Sequence, residues 1–114
     1  MQRGPLGEAL AELFLVSRGW TVRGRNVRAG RREIDLVVQR GETVAFIEVK
    51  WRRSAVEEAW RRPQRARAGE AALALMEQWP AKAWRFDLVT IEEEIHGIRL
   101  RHHPAAWSPG EGYW

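Results

Sequence analysis

Asp35 is followed, after twelve intervening residues, by Glu48-x-Lys50. Two carboxylates offer hard oxygen ligands to a divalent cation. A Lys beside them offers a compact ammonium that can meet a phosphate or an attacking water. Lys is a marked choice here, because seventeen of the nineteen basic residues are Arg and only Lys50 and Lys82 are not. The intervening residues say how these groups meet. Residues 33–50 form two alternating apolar runs around Arg40-Gly41-Glu42-Thr43, the pattern of a β-hairpin. Gly41 suits the first central position of a type II′ turn, where φ is positive. The register then pairs Arg40 with Thr43, Val38 with Ala45, Leu36 with Ile47 and Ile34 with Val49 on one apolar face. The other face pairs Gln39 with Val44, Val37 with Phe46, Asp35 with Glu48 and Glu33 with Lys50. Like charges directly opposite destabilise a sheet, so Asp35 against Glu48 is a conflict of the kind retained at functional sites. A cation held by oxygen resolves it. The alternative is a frayed strand end with both carboxylates in water, and Lys50 beside the pair argues against that.

The hairpin needs elements to pack on. Pro5 suits a first helical turn, and the pattern predicts a helix to Ser17 or Arg18 with Gly19 as its C-terminal stop. Leu6, Ala9, Leu10, Leu13, Phe14 and Val16 make its apolar arc. Glu8 lies near the middle of the polar face and Glu12 nearer its edge, so periodicity alone lets Glu12 reach a neighbouring sheet more easily. Trp20 to Val27 reads as a first, partly exposed strand, and Ala29-Gly30-Arg31-Arg32 as a basic loop. Residues 54–63 read as a charged connection. A second helix is predicted from Pro63, with Gly69, Leu73 and Met76 at helical spacing, to Pro80. Trp84 to Ile91 alternates as a strand, Glu92-Glu93-Glu94 reads as an acidic loop, and Ile98 to Arg101 as a last short strand. His102 and His103 are adjacent on a strand and point opposite ways, which argues against shared metal ligation. The tail from Ser108 is rich in Gly and Pro and is expected to fray. Trp20, Trp79 and Trp84 are expected to pack, whereas Trp51 and Trp60 lie in a basic region where a ring can also stack on a base.

Several ordered pieces carry a family resemblance: Gly7-Glu8-Ala9, Gly19-Trp20, Asn26-Val27-Arg28, residues 33–37, residues 46–50 with Arg52-Arg53, and residues 85–89. Asp-x12-Glu-x-Lys resembles the PD-(D/E)xK nuclease superfamily. The full set resembles its YraN-like branch, related to archaeal Holliday-junction resolvases. The resemblance implies an α/β fold of restriction-endonuclease-like type, a mixed central β-sheet flanked by helices in the order α-β-β-β-α-β-β. It implies an endonuclease-like domain acting on DNA, with branched DNA among its substrates and Mg²⁺ or Mn²⁺ as cofactor. The implied metal ligands are Asp35, Glu48, the Val49 carbonyl and Glu8, with Lys50 as a further catalytic residue. It favours Glu8 over Glu12. Members of the superfamily often act as dimers, and no interface is visible in the sequence. Two positions depart from the family: Arg32 stands where relatives carry Gly, and Pro63-Gln64 where they carry Lys-Gln. The second departure keeps a binding module of the same fold, without cleavage, as the alternative.

Length and charge agree with this reading. At 114 residues the chain is expected to form one domain with a modest core. The lack of Cys excludes disulfides, thiolate metal sites and Cys nucleophiles, and suits a cytoplasmic protein. No apolar run reaches membrane-spanning length. The net charge is +4 and the pI is near 10.6. The Arg residues cluster on both sides of the carboxylates, which nominates Arg25, Arg28, Arg31, Arg32, Arg52 and Arg53 as contacts to nucleic-acid phosphates. The resemblance adds Gln64, which keeps the family position and can approach a phosphate or water, or simply face solvent in a first helical turn.

Overall fold

The computed structural model describes residues 3–29, 32–52 and 73–106. Helix α1 (Arg3–Ser17) is followed by strands β1 (Thr21–Ala29), β2 (Arg32–Arg40) and β3 (Thr43–Arg52). Residues 73–78 are helical (α2), and strands β4 (Ala83–Glu94) and β5 (Gly97–His103) follow. The five strands form one sheet in sequence order. All neighbours pair antiparallel except β3 and β4, which run parallel from Thr43↔Ala83 to Arg52↔Glu92. A parallel pair cannot be joined by a tight turn. That is why α2 stands between these two strands and nowhere else. The mixed sheet and the element order are those expected. The predicted start of the second helix at Pro63 lies outside the described residues, as do the 54–63 connection and the tail from Ser108.

Each sheet face carries its own core. Ala11, Leu15 and Trp20 cover Leu36, Val38, Ala45, Ile47 and Val89. On the opposite face Leu75 of α2 covers Val37, Val44, Phe46, Phe86 and Leu88. Helix α1 meets the sheet chiefly through Gly7, Ala11 and Leu15, all buried; of the arc expected from hydrophobicity, Phe14 packs at the edge of this core. A Cβ at Gly7 would lie 3.3 Å from Ile91 and 3.4 Å from Trp51. Closeness of approach selected small residues there and turned the helix, leaving Leu13 and Val16 68% and 50% exposed. Strand β4 runs on through Glu92–Glu94, where an acidic loop was expected. Arg101 holds Glu92 at 2.9 Å and Arg99 holds Glu94 at 3.0 Å across the β4–β5 ladder. Opposite charges at diagonal positions across the two strands turn an unpromising acidic run into a paired one.

Candidate active site

The β2–β3 hairpin is regular at its turn and opens at its far end. Arg40↔Thr43 through Leu36↔Ile47 pair as predicted. Gly41 has φ +60° and Glu42 is not in the left-handed region, as a type II′ turn requires. The ladder stops at Leu36↔Ile47, so the predicted pairs Ile34–Val49, Asp35–Glu48 and Glu33–Lys50 do not form. Glu33 faces Arg28 of β1 instead. Beyond Leu36, β1 and β2 stay paired to Ala29↔Arg32, and β3 stays paired to β4 as far as Arg52. The sheet therefore divides between β2 and β3.

Asp35 stands at the division. Its Oδ2 accepts the Val49 N–H at 2.8 Å, replacing a lost backbone bond with a charge-assisted one. That amide belongs to the Glu48–Val49 peptide, so Asp35 is fixed directly beside Glu48. Alternation along β3 places Glu48 and Lys50 on the Phe46 side of the sheet. All three side chains are half-buried. The expected apolar face is broken at this point, because Leu36 packs with α1 while Ile34 packs with Phe46 on the opposite face.

The two candidate helix carboxylates have different partners. Glu12 is held by Arg25, whose Nε and Nη2 donate to its two carboxylate oxygens at 2.7 and 2.8 Å. That fork holds the Glu12 carboxyl below its ordinary range. Glu8 accepts from Asn26 Nδ2 at 2.9 Å, and the same amide lies 3.4 Å from Glu33 Oε1. Glu8 thus reaches the strand pair that leaves the sheet. Arg25, expected to contact phosphate, pairs with Glu12 on an exposed surface. Arg28 is exposed and Arg52 half-buried. Arg31, Arg53, Gln64 and Trp60 lie outside the described residues, as does the side chain of Arg32. Trp51 packs against Gly7 and donates from Nε1 to Glu93.

Among the described residues no three His, Cys, Asp or Glu side chains converge to enclose an ion. The donors at the division are all oxygen. Mg²⁺ commonly binds through one or two carboxylates, completed by water and substrate phosphate, so the chemistry of this donor set suits a hard divalent ion.

A second polar cluster was not foreseen. Asp87 is fully buried. It accepts from Arg85 Nε and Nη2 at 3.0 and 2.8 Å, from the Ala105 N–H at 2.9 Å, and lies 2.7 Å from His102 Nε2. Burial pushes its carboxyl up, but these partners outweigh it and hold the group below its usual range. The only sequence signal was a carboxylate set inside the apolar run Phe86-Asp87-Leu88. His103 turns to the other face, its Nε2 3.0 Å from Thr90 Oγ1.

The profile of a family described as "Uncharacterised protein family UPF0102" matches residues 7–91, a span from Gly7 through the division to β4. A UPF0102 protein of Erythrobacter litoralis is 36% identical over 107 residues, covering 90% of both chains. One from Bifidobacterium longum is 38% identical, covering 90% of this chain and 89% of its own. Among solved structures, Pyrococcus furiosus SfsA in complex with Ca²⁺ aligns with a TM-score of 0.47 at 14% identity, over 89% of this chain and 62% of that one. A crystal structure of SSO0001 aligns with a TM-score of 0.44 at 16% identity, over 96% and 54%. The chain spans less than two thirds of either structure.

Proposed function

The chain belongs to the YraN-like family UPF0102, and from that membership and the divided sheet we propose that it is a metal-dependent, endonuclease-like domain acting on DNA phosphodiesters. The observation that carries the reading is the Asp35 carboxylate on the Glu48–Val49 peptide, with Lys50 next along the strand. A reactive constellation needs this kind of rigid support, and here a backbone amide of a central strand provides it.

Asp35, Glu48 and the Val49 carbonyl would hold Mg²⁺ or Mn²⁺, with Glu8 completing the set directly or through water. Such an ion, when bound, polarises a phosphoryl oxygen and makes water more acidic. Lys50 orients the attacking water or meets charge that develops on the phosphoryl oxygens. Arg28 and Arg52 flank the division and suit backbone phosphates, which position a nucleic acid without reading its sequence. Branched DNA is the substrate class the family resemblance suggests. Pro63 in place of the relatives' Lys favours a second reading, a module that grips DNA without cutting it.

Labelled branched, flapped and linear DNA, incubated with Mg²⁺, with Mn²⁺ and with chelator, separates the two. The enzyme reading expects metal-dependent cleavage that Lys50→Ala lowers by roughly 10²-fold or more, with DNA affinity nearly unchanged. Salt-sensitive binding without cleavage selects the module, and absence of binding at low salt rejects both.

A further inference from the structure

Asn26 is the one non-glycine residue of the described strands with a left-handed backbone, at φ +49°. Asn tolerates this conformation better than most residues, though it remains unusual inside a strand. Its consequence appears in the packing. A Cβ at Gly24 would lie 2.9 Å from Val27 Cγ2, so residues three apart share a sheet face, where strict alternation would oppose them. In β2, Ile34 and Val37 likewise share one core while Leu36 enters the other. Both strands change face at one level, because the register from Arg25↔Leu36 to Val27↔Ile34 sets Asn26 across from Asp35. This is also the level at which β2 leaves β3.

The side chain adds a second function to the same residue. One amide nitrogen serves Glu8 of α1 at 2.9 Å and approaches Glu33 of β2 at 3.4 Å. Carboxylates from two elements are thereby gathered around a single donor. We propose that Asn26 is a positioning residue: its backbone turns Asp35 to the Val49 amide, and its amide fixes the Glu8 carboxylate at the same level of the sheet. The inference rests on the metal-dependent reading above and adds to it a residue with no ligand role of its own.

Asn26→Gly separates the two contributions, since Gly keeps the left-handed conformation and removes the amide. Calorimetric titration with Mg²⁺ is expected to show affinity weakened about tenfold or more, the size of effect seen when partners that orient metal ligands are lost. Far-UV circular dichroism should match the unchanged protein. Glu8→Gln should weaken Mg²⁺ binding in the unchanged background and add nothing in the Gly background. Should the Gly variant fail to fold, metal-free melts of Asn26→Asp give an independent answer. A carboxylate placed against Glu8 and Glu33 should lower the melting temperature, and adding Glu8→Gln should recover part of the loss. Mg²⁺ affinity unchanged in Asn26→Gly but lost in Asp35→Asn overturns this inference and leaves the metal reading standing, as does Asn26→Asp without recovery. No Mg²⁺ binding by the unchanged protein overturns both.

Discussion

Asp87 on β4 and Asp35 on β2 lie on either side of β3 and live under opposite conditions. Asp87 is sealed from solvent and surrounded by Arg85, His102 and the Ala105 amide, which ties β5 and the following turn to β4. Asp35 is half-buried where β2 parts from β3, and it accepts a hydrogen bond from a backbone amide. A carboxylate saturated by fixed donors acts as a structural tie. One presented at a division in the sheet, with Glu48 and Lys50 next to the same peptide, can meet a ligand from outside. The carboxyls held below their ordinary range at Asp87 and Glu12 are both explained by Arg partners, as structural ion pairs also shift pKa values.

The contrast predicts unequal costs. Asp87→Ala leaves the Arg85 and His102 donors facing a vacated site, and breaking such a pair costs about 3–5 kcal/mol. Denaturant unfolding should show that loss, equal with Mg²⁺ and with chelator. A loss that Mg²⁺ reverses would make Asp87 part of the ion site and end the contrast. Asp35→Asn keeps an acceptor for the Val49 amide and removes one charge beside Glu48. Metal-free stability should therefore change by no more than about 1 kcal/mol. A loss as large as that of Asp87→Ala would make Asp35 a second structural tie.

Smaller effects lie at the β4–β5 edge and on α1. Burial, with the Arg52 charge, lowers the His103 pKa. A group with a depressed folded pKa contributes stability that is present above its unfolded value, about 6.5, and is lost as the pH falls below it through the folded value. Wild-type stability should drop on acidification from pH 7 toward pH 5, and His103→Gln should flatten that slope. An unchanged slope would assign it elsewhere. Glu12→Gln is expected to leave stability within error, because exposed ion pairs contribute little, and to leave Mg²⁺ binding untouched. Loss of Mg²⁺ binding in that variant would move the helix carboxylate from Glu8 to Glu12.

Much of this arrangement could be read from residue types, and the failures have definite causes. Period-two alternation and a Gly turn gave the hairpin and its register from Arg40↔Thr43 to Leu36↔Ile47. The same rule extended past Leu36 went wrong, because one left-handed Asn on a different strand resets the alternation and nothing in β2 or β3 signals it. On α1, hydrophobicity pointed to Leu13 and Val16, whereas contact distance chose Gly7 and Ala11. The acidic run at Glu92–Glu94 looked like a loop until Arg99 and Arg101 were placed opposite it. The Arg25–Glu12 pair was hidden because its members lie thirteen residues apart on different elements.

The proposed divalent ion at the division between β2 and β3 is held through Asp35. Calorimetric titration of Mg²⁺ into the wild-type protein and into Asp35→Asn, at constant ionic strength, tests it most directly. Saturable wild-type binding, weakened at least about tenfold in the Asn variant, is the predicted result. Equal heats from the two proteins, or none from either, would contradict it.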